Sequence, residues 1–455
     1  MSPTEDTGTG TIADGDLLSQ LLEVADRVFI KKLSNNDRDW ASNPNKHQSG
    51  PYIPMEPLVR EFFPPLERME REDAEAAPIL ETLFETVWPQ INESPRISRL
   101  VNYTSKGAET HMTRVPKALF KSLLPASFLV VARIGEPKSR TYQCMTVDSD
   151  SQEAALLRDV FDIGLDFVAG VFEPRTVQDA QRDELWLFFK AALEAWNKGR
   201  FSDFVLEHGR VPSTAELALE ARRRFLKERH RKSLNPFASD TPGDDLREIS
   251  RKIEWDIFRE AQRKERSLQL VRLVLGDKKR DISASDIIQQ LIFDFPKIDA
   301  LLLSASQQRK SRAGRSYEHH IAAMLKSGKV PFQMQAVLDA TKRADFVLPS
   351  LRFIKSERDS ASSGLILSAK TTLRERWKQV LQEMGQHRLF LTTLDENVPG
   401  STIEDMASFN AYLVIPESLR VSKQTEYEGH ANVLTFKTFC EQFIGPRLDT
   451  WAGKP

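Results

Sequence analysis

The sequence predicts an α/β protein of two domains, an N-terminal one rich in β-strands and a C-terminal one in which strands and helices alternate around a central sheet. Three observations support this prediction. The 455 residues exceed the usual size of one domain, and 40% of them are hydrophobic, which is enough for real cores. Short apolar runs typical of strands fill residues 96–147, and helical spacing dominates after them. A polar stretch at 235–245 with two prolines and a glycine is the best linker in the chain.

These observations divide the chain into four predicted segments. Residues 1–14 are expected to be disordered, 15–234 form the N-terminal domain, 235–245 the linker, and 246–455 the C-terminal domain. No apolar run approaches the 18 or more residues of a membrane span, and the N-terminus has no signal-peptide pattern. The net charge of −1 does not exclude nucleic acid as a partner, because local basic patches suffice for sequence-specific binding.

The N-terminal elements follow from local patterns. Apolar residues at helical spacing predict a helix up to Val28, a strand follows at 29–33, and the polar stretch 34–51 is interpreted as a loop. Residues 56–95 are interpreted as helical or mixed. Further strands are predicted at 96–101, 127–133 and 142–147, and helices at 152–162, 179–197 and 213–230. Cys144 and Cys440 lie far apart without metal-binding spacing, so both are expected to be buried thiols in a reducing cytoplasm.

The C-terminal elements alternate. Helices are predicted at 246–275, 283–294, 296–308, around Glu318, and at 372–384, 402–408 and 436–446. Strands are predicted at 344–349, 363–367, 388–393 and 411–415. This alternation predicts helices on both faces of a sheet.

A catalytic pattern lies on the central strands. Asp345 belongs to one short strand, Lys370 ends the next, and Glu383 follows 13 residues later on the predicted helix. Metal-dependent phosphodiesterases use carboxylates to hold Mg²⁺ and a lysine to offset the charge that develops at the phosphate. The usual acid two residues before the lysine is replaced by Ser368, and Glu383 is expected to supply the missing carboxylate. Taken alone, this pattern fits an ordinary strand–helix unit with solvated charges equally well.

A triplet of charged residues changes that balance. Arg374, Glu375 and Arg376 begin four residues after Lys370. Arginine can pair with guanine and glutamate with cytosine amines in the major groove, so the triplet can read neighbouring G·C pairs. Its position four residues after the lysine places base reading beside cutting.

The stretch from Lys370 to Trp377, with its displaced glutamate, resembles the EcoRII/PspGI branch of the Type II restriction endonucleases. Residues 311–318 are similar to the start of that family's active-site helix, 253–258 to the opening of its catalytic domain, and 29–54 to the first strands of an effector domain. The resemblance implies a PD-(D/E)XK α/β/α core in the C-terminal half. It also implies an N-terminal β-rich pseudobarrel with helical additions, which binds a second copy of the DNA site.

The resemblance also implies an activity. Asp345 and Glu383 would bind Mg²⁺ with Glu318 as a third acid, Lys370 would activate water, and the triplet would read a palindrome with CC and GG halves. The centre stays open between CCGG, CCWGG and CCNGG, with or without flanking bases, and the products would carry 5′-phosphates. A homodimer on double-stranded DNA is implied, with higher oligomers on DNA, in a bacterial or archaeal cytoplasm. A cognate DNA methyltransferase is expected in the same system but not as a physical partner.

The polar residues of the N-terminal half are predicted DNA contacts of the effector domain. The predicted contacts are Lys32, Asn36, His47, Gln48, Tyr52, Glu109, His111 and Arg114. Without the resemblance, a surface hairpin with polar tips is the simpler interpretation of residues 34–52.

Two other functions remain open. A non-cleaving DNA-binding regulator derived from such a nuclease would fit Ser368 in place of an acid. Retention of Asp345, Lys370 and Glu383 together argues against it. A structure-specific repair nuclease would not need the base-reading triplet.

Overall fold

A computed structural model gives the structure of the protein. It describes residues 14–43, 48–69, 77–91, 95–106, 109–136, 140–277, 281–339, 342–356, 364–373, 377–378 and 388–452. The chain forms two compact units. The first comprises Met1–Ala180 with Lys423–Glu426, and the second comprises Gln181–Ser422 with Tyr427–Pro455.

The first unit is built on a large mixed β-sheet. Its strands are β1 (Arg27–Lys32), β2 (Tyr52–Ile53), β3 (Glu67–Arg68), β4 (Ile79–Val87), β5 (Arg96–Tyr103), β6 (Thr110–Thr113), β7 (Phe128–Ile134), β8 (Thr141–Val147) and β9 (Ala169–Phe172). Among the described residues they form the order β2-β6-β5-β4-β8-β7-β1-β9, with β3 beside β4. The helices are α1 (Asp14–Val24), α2 (Asn35–Asp39), α3 (Pro57–Phe62) and α4 (Gln152–Val160), and α5 (Pro174–Asn197) contains the boundary between the units.

Strand β1 lies at the centre of the packing in this unit. Phe29 belongs to the apolar cluster on one face of the sheet, and Val28 and Ile30 belong to the cluster on the other. A strand that is covered on both faces is apolar at consecutive positions rather than at alternate ones. The predicted β-rich unit with helical additions is confirmed.

The segment predicted as a loop at 34–51 contains a helix instead. The Ser34 hydroxyl caps α2 by accepting a hydrogen bond from the Asp37 amide, and the Asp37 carboxylate accepts one from the Ser34 amide at 2.9 Å. Asp37 also pairs with Lys31 at 2.5 Å, and both side chains are buried. The polar residues that suggested a loop therefore form a capping box and a buried ion pair.

The second unit begins with helices and ends with an α/β sheet. Its helices are α6 (Phe201–His208), α7 (Thr214–Glu228), α8 (Pro242–Glu248), α9 (Glu254–Leu275), α10 (Ala284–Phe293), α11 (Phe295–Ser327), α12 (Leu351–Ser356), α13 (Gly400–Ser408), α14 (Glu417–Arg420), α15 (Phe436–Phe439) and α16 (Leu448–Trp451). Its strands are β10 (Gln333–Asp339), β11 (Lys342–Leu348), β12 (Leu365–Lys370), β13 (Leu389–Thr393), β14 (Ala411–Ile415) and β15 (Val433–Thr435).

These six strands lie in chain order. Strands β10, β11 and β12 are antiparallel, and β12 to β15 are parallel. Along β12, Leu365 and Leu367 pack into the core on one face and Ile366 into the core on the other. The mixed α/β fold predicted for the C-terminal half is confirmed.

The predicted linker at 235–245 does not separate the two units. Residues Pro236–Ala238 form a 3₁₀ turn, and Pro242 occupies the first turn of α8, where proline needs no hydrogen-bond partner. Gly243 is buried, and a Cβ there would lie 2.8 Å from the Pro416 Cα. Proline and glycine therefore start and pack a helix here, and the division between compact units falls after Ala180.

Two further predictions concern the whole chain. Cys144 and Cys440 are free and buried, as expected, and burial raises the pKa of both thiols. Among the described residues, no helix combines the length and the hydrophobicity that crossing a bilayer requires.

Candidate active site

Asp345 is the centre of a cluster of polar groups on the second sheet. The register that pairs Phe346 with Leu367 places Asp345 on β11 beside Ser368 on β12. Its Oδ2 accepts hydrogen bonds from the Ser368 hydroxyl at 3.0 Å, the Ala369 amide at 2.9 Å and the Lys370 ammonium at 2.7 Å. The Asp345 side chain is 11% exposed, so these three donors fix the orientation of its carboxylate.

Lys370 stands at the end of β12, as the sequence predicts. Its ammonium pairs with Asp345, and its side chain remains 28% exposed. Ser368 replaces the acid of the usual motif, and it donates to Asp345 instead of adding a negative charge. Asp345 and Lys370 are therefore in direct contact, with one end of the cluster open to solvent.

Glu318 reaches the same cluster from helix α11. The side chain of Gln335 on β10 connects the two acids, because its Nε2 lies 2.7 Å from Glu318 Oε2 and 3.4 Å from Asp345 Oδ1. Burial and the nearby Asp345 charge raise the pKa of Glu318. Two neighbouring carboxylates repel each other when both are charged, and a cation between them relieves that repulsion.

The residues of this cluster fit a divalent cation. Glu318 and Asp345 offer oxygen ligands, which Mg²⁺ prefers, and Mg²⁺ sites commonly use one or two carboxylates with water and substrate phosphate. No group of three or more acidic, histidine or cysteine side chains suitable for a metal occurs in the part of the chain that the structure describes. The predicted ligand Glu383 lies outside the described residues.

The base-reading triplet, Arg374 to Arg376, also lies outside the described residues. The turn before the triplet is described, and two hydrogen bonds hold it. The buried Asp395 carboxylate, 4% exposed, accepts a hydrogen bond from the Leu373 amide at 2.9 Å, and the Arg251 side chain donates one to the Thr371 carbonyl at 3.3 Å. Leu373 and Trp377, on either side of the triplet, both lie in the apolar core on one face of the sheet.

Sequence reasoning missed Gln335 and Asp395. Asp395 lies two residues after the predicted strand 388–393, and polar residues at the carboxyl ends of parallel strands commonly line binding sites. The position of Asp395 after a strand could therefore have marked it as a candidate. No sequence pattern marked Gln335, because strand β10 was not predicted.

The N-terminal residues predicted to contact DNA have several different environments. Lys32 is buried, and its ammonium donates to the Leu165 carbonyl at 3.1 Å. This environment does not support the predicted contact of Lys32 with DNA. Gln48 donates to the Gly50 carbonyl at 2.7 Å. Tyr52 on β2 pairs with His111 on β6, and their rings meet edge to face at 5.9 Å.

The remaining N-terminal residues lie around that ring pair or apart from it. Glu109 approaches His111 at 3.6 Å, and the His111 Nδ1 is buried without a hydrogen-bond partner among the described groups. Arg114 is exposed with a left-handed backbone, φ 58°. Asn36 is exposed at the start of α2, and His47 lies outside the described residues.

The chain is similar over nearly its whole length to a known protein. The family described as EcoRII C terminal matches residues 278–440, the region that holds Glu318, Asp345 and Lys370. The Type II restriction enzyme EcoRII of Escherichia coli is 25% identical over 452 residues, which cover 94% of this chain and 97% of that protein. The chain is therefore similar to EcoRII-like Type II restriction enzymes over nearly its whole length, and its first unit also has a counterpart in that relative.

Other relatives match part of this chain. The Type II restriction enzyme SsoII of Shigella sonnei is 28% identical over 204 residues, which cover 42% of this chain and 65% of that protein. A solved structure of metal-depleted Ecl18kI in complex with uncleaved DNA covers 59% of this chain and 86% of its own, with 23% identity and a TM-score of 0.46.

Proposed function

We propose that this restriction enzyme hydrolyses double-stranded DNA, with Mg²⁺ as cofactor, at a palindromic site with CC and GG halves. The site would be CCGG, CCWGG or CCNGG, with or without flanking bases. The observation that carries the proposal is the contact of Asp345 with Lys370 and, through Gln335, with Glu318. A structural ion pair alone would not require a second, destabilised carboxylate beside it.

The cluster suits attack by water on a phosphodiester. Lys370 presents a positive charge beside the carboxylates, where it can orient the water and offset charge that develops on the phosphate oxygens. Asp345 and Glu318 would hold Mg²⁺, which when bound acts as a Lewis acid toward the phosphate. The water oxygen bonds to phosphorus as the bond to the 3′-oxygen breaks, so the ends are a 5′-phosphate and a 3′-hydroxyl.

A plasmid of known sequence tests this proposal. It is digested with the full chain in Mg²⁺ or in EDTA, and the fragment ends are sequenced. Discrete ends at one CC…GG motif in Mg²⁺ alone would support the activity and identify the centre of the site. Specific binding without cutting, on a plasmid with several copies of each candidate site, would favour the regulator alternative instead.

We also propose that the first unit binds a further copy of the site. The similarity to EcoRII over nearly the full length supports this, as does the Tyr52–His111 pair with a buried unsatisfied nitrogen. His111→Ala in the full chain should reduce the difference in cleavage rate between plasmids with one site and with two. Arg60→Ala, on the exposed side of α3, serves as the control. An unchanged two-site preference for His111→Ala would contradict this role.

A palindromic site implies a two-fold symmetric enzyme, and we propose a homodimer. Helix α10 and the start of α11 expose large apolar side chains that a subunit interface would cover. They are Ile288, Leu291, Ile292, Phe293, Phe295, Leu302 and Leu303. Light scattering should give a mass of twice the 51.8 kDa of one chain. Ile292→Lys, within the exposed apolar group, should lower the measured mass, whereas Leu206→Lys, at an exposed position on α6, should leave it unchanged. A monomeric wild type that still cuts would contradict the dimer.

A further inference from the structure

Gln335 makes a contact that no pattern in the sequence predicts. Its side-chain amide nitrogen lies 2.7 Å from Glu318 Oε2 and 3.4 Å from Asp345 Oδ1. One acid projects from helix α11 and the other from strand β11, so this amide on strand β10 bridges two different elements of the fold. A single neutral donor therefore fixes the spacing between both acids of the candidate active site.

The backbone at Gln335 is unfavourable for glutamine. Its φ is +50°, a left-handed conformation inside strand β10, where side chains other than glycine are strained. The register pairs Met334 with Phe346 and Ala336 with Ala344. The side chain is exposed, so burial of apolar surface does not offset the strain. Strain of this kind persists mainly at functional sites.

We propose that Gln335 is a positioning residue that holds Glu318 and Asp345 in the orientation needed to share a divalent cation. The inference rests on the proposed function. A carboxylate oxygen has two lone pairs, so it can accept the amide hydrogen and still bind a metal. Glu318 in particular reaches the site on a long side chain, and its described hydrogen bond is to this amide.

Metal affinity in the absence of DNA measures this role directly. Mn²⁺ is titrated into the full chain, and free Mn²⁺ is followed by its electron paramagnetic resonance signal. Gln335→Met keeps the length of the side chain and removes the amide. Because outer-shell partners of ligating carboxylates commonly tune metal affinity 10- to 100-fold, Mn²⁺ binding should weaken by about that factor. The Mg²⁺ concentration for half-maximal cleavage should rise in parallel, with the rate at saturating Mg²⁺ changed by only a few fold.

A matched control lies on the same strand. The Gln333 side-chain oxygen accepts the Leu351 amide at 3.1 Å, and neither acid of the site is among its described partners. Gln333→Met should leave Mn²⁺ affinity unchanged. Gln335→Gly adds a second arm, since it removes the amide and also relieves the left-handed strain. Its thermal stability should equal or exceed that of the wild type while its Mn²⁺ affinity falls.

The outcomes separate this inference from the proposed function. If the wild type cuts DNA and binds Mn²⁺, and both Gln335 variants bind Mn²⁺ equally well, Gln335 has no positioning role. An equal loss in the Gln333→Met control would also overturn the inference, since the effect would then belong to the strand. A wild type that neither binds Mn²⁺ nor cuts would overturn the proposed function and this inference with it.

Discussion

Replacing Lys370 with methionine removes the ammonium that contacts Asp345 at 2.7 Å, while keeping most of the side-chain volume. The Asp345 carboxylate would keep its hydrogen bonds from Ser368 and Ala369. It would also keep the neighbouring Glu318, whose pKa is already raised by burial and by Asp345. The substitution therefore leaves two acids near each other without the ammonium that lies at 2.7 Å.

The expected magnitudes follow from the exposure of the pair. Exposed ion pairs contribute about 0–1 kcal/mol, and breaking a buried pair costs about 3–5 kcal/mol. The Lys370 and Asp345 side chains are 28% and 11% exposed, so the pair lies between these limits. Folding stability without metal should therefore fall by about 1–2 kcal/mol. Loss of a preorganised donor to the reacting phosphate should slow cleavage about 100- to 1,000-fold, or about 2.7–4 kcal/mol.

The assay separates cutting from binding. Single-turnover cleavage of a short duplex is measured in Mg²⁺, and affinity for the same duplex is measured by gel shift in EDTA. Lys370→Met should lose cleavage and retain affinity. Lys378→Met is the matched control, because Lys378 is exposed and its ammonium lies over the Trp377 ring at 5.6 Å. Cleavage within tenfold of the wild type, or an equal loss of cleavage and affinity, would refute the assignment of Lys370 to the reacting centre.

Three further predictions follow from the same unit. The folded state raises the pKa of Glu318, so above its usual pKa the charged carboxylate destabilises the folded protein. Glu318→Gln should therefore raise the free energy of unfolding without metal at pH 7 by about 0.5–2 kcal/mol, measured by urea unfolding. The same substitution should lower the cleavage rate. Burial lowers the pKa of His320 despite its 2.7 Å contact with Glu254, and Arg222 faces its other nitrogen. The stability that the neutral His320 contributes is therefore complete above about pH 6.5 and is lost as the pH falls toward its pKa in the folded protein. In His320→Gln, the free energy of unfolding should depend less on pH below about 6.5. Arg376→Ala should cost about 1–3 kcal/mol of discrimination at one G·C pair, measured by competition between duplexes, and unchanged site preference would contradict base reading.

Much of the secondary structure was accessible from local pattern. Strand β14 falls at the predicted 411–415, and strand β13 begins one residue inside the predicted 388–393. These strands are short apolar runs bounded by polar residues, so neighbouring positions determine them. Residues 56–95, interpreted as helical or mixed, are mixed, because they contain helix α3 and strands β3 and β4. One region differs from its prediction: the predicted helix 296–308 continues into the helix that carries Glu318. No proline separates the two helical patterns, and Gly314 between them is accommodated inside one helix that spans both.

The sequence alone determined the α/β class, the family resemblance and the pair Asp345–Lys370, because strand periodicity and a short motif are local properties. The resemblance named Glu318 as a third acid, but only the tertiary structure decided that it reaches the pair and that Gln335 connects the two acids. Glu318 reaches them because helix α11 packs on the sheet, and Gln335 does so because strand β10, which no local pattern predicted, lies beside β11 in that sheet. The same reason removes Lys32 from the predicted DNA surface, since its ammonium is buried against Leu165 by a fold that no local pattern describes.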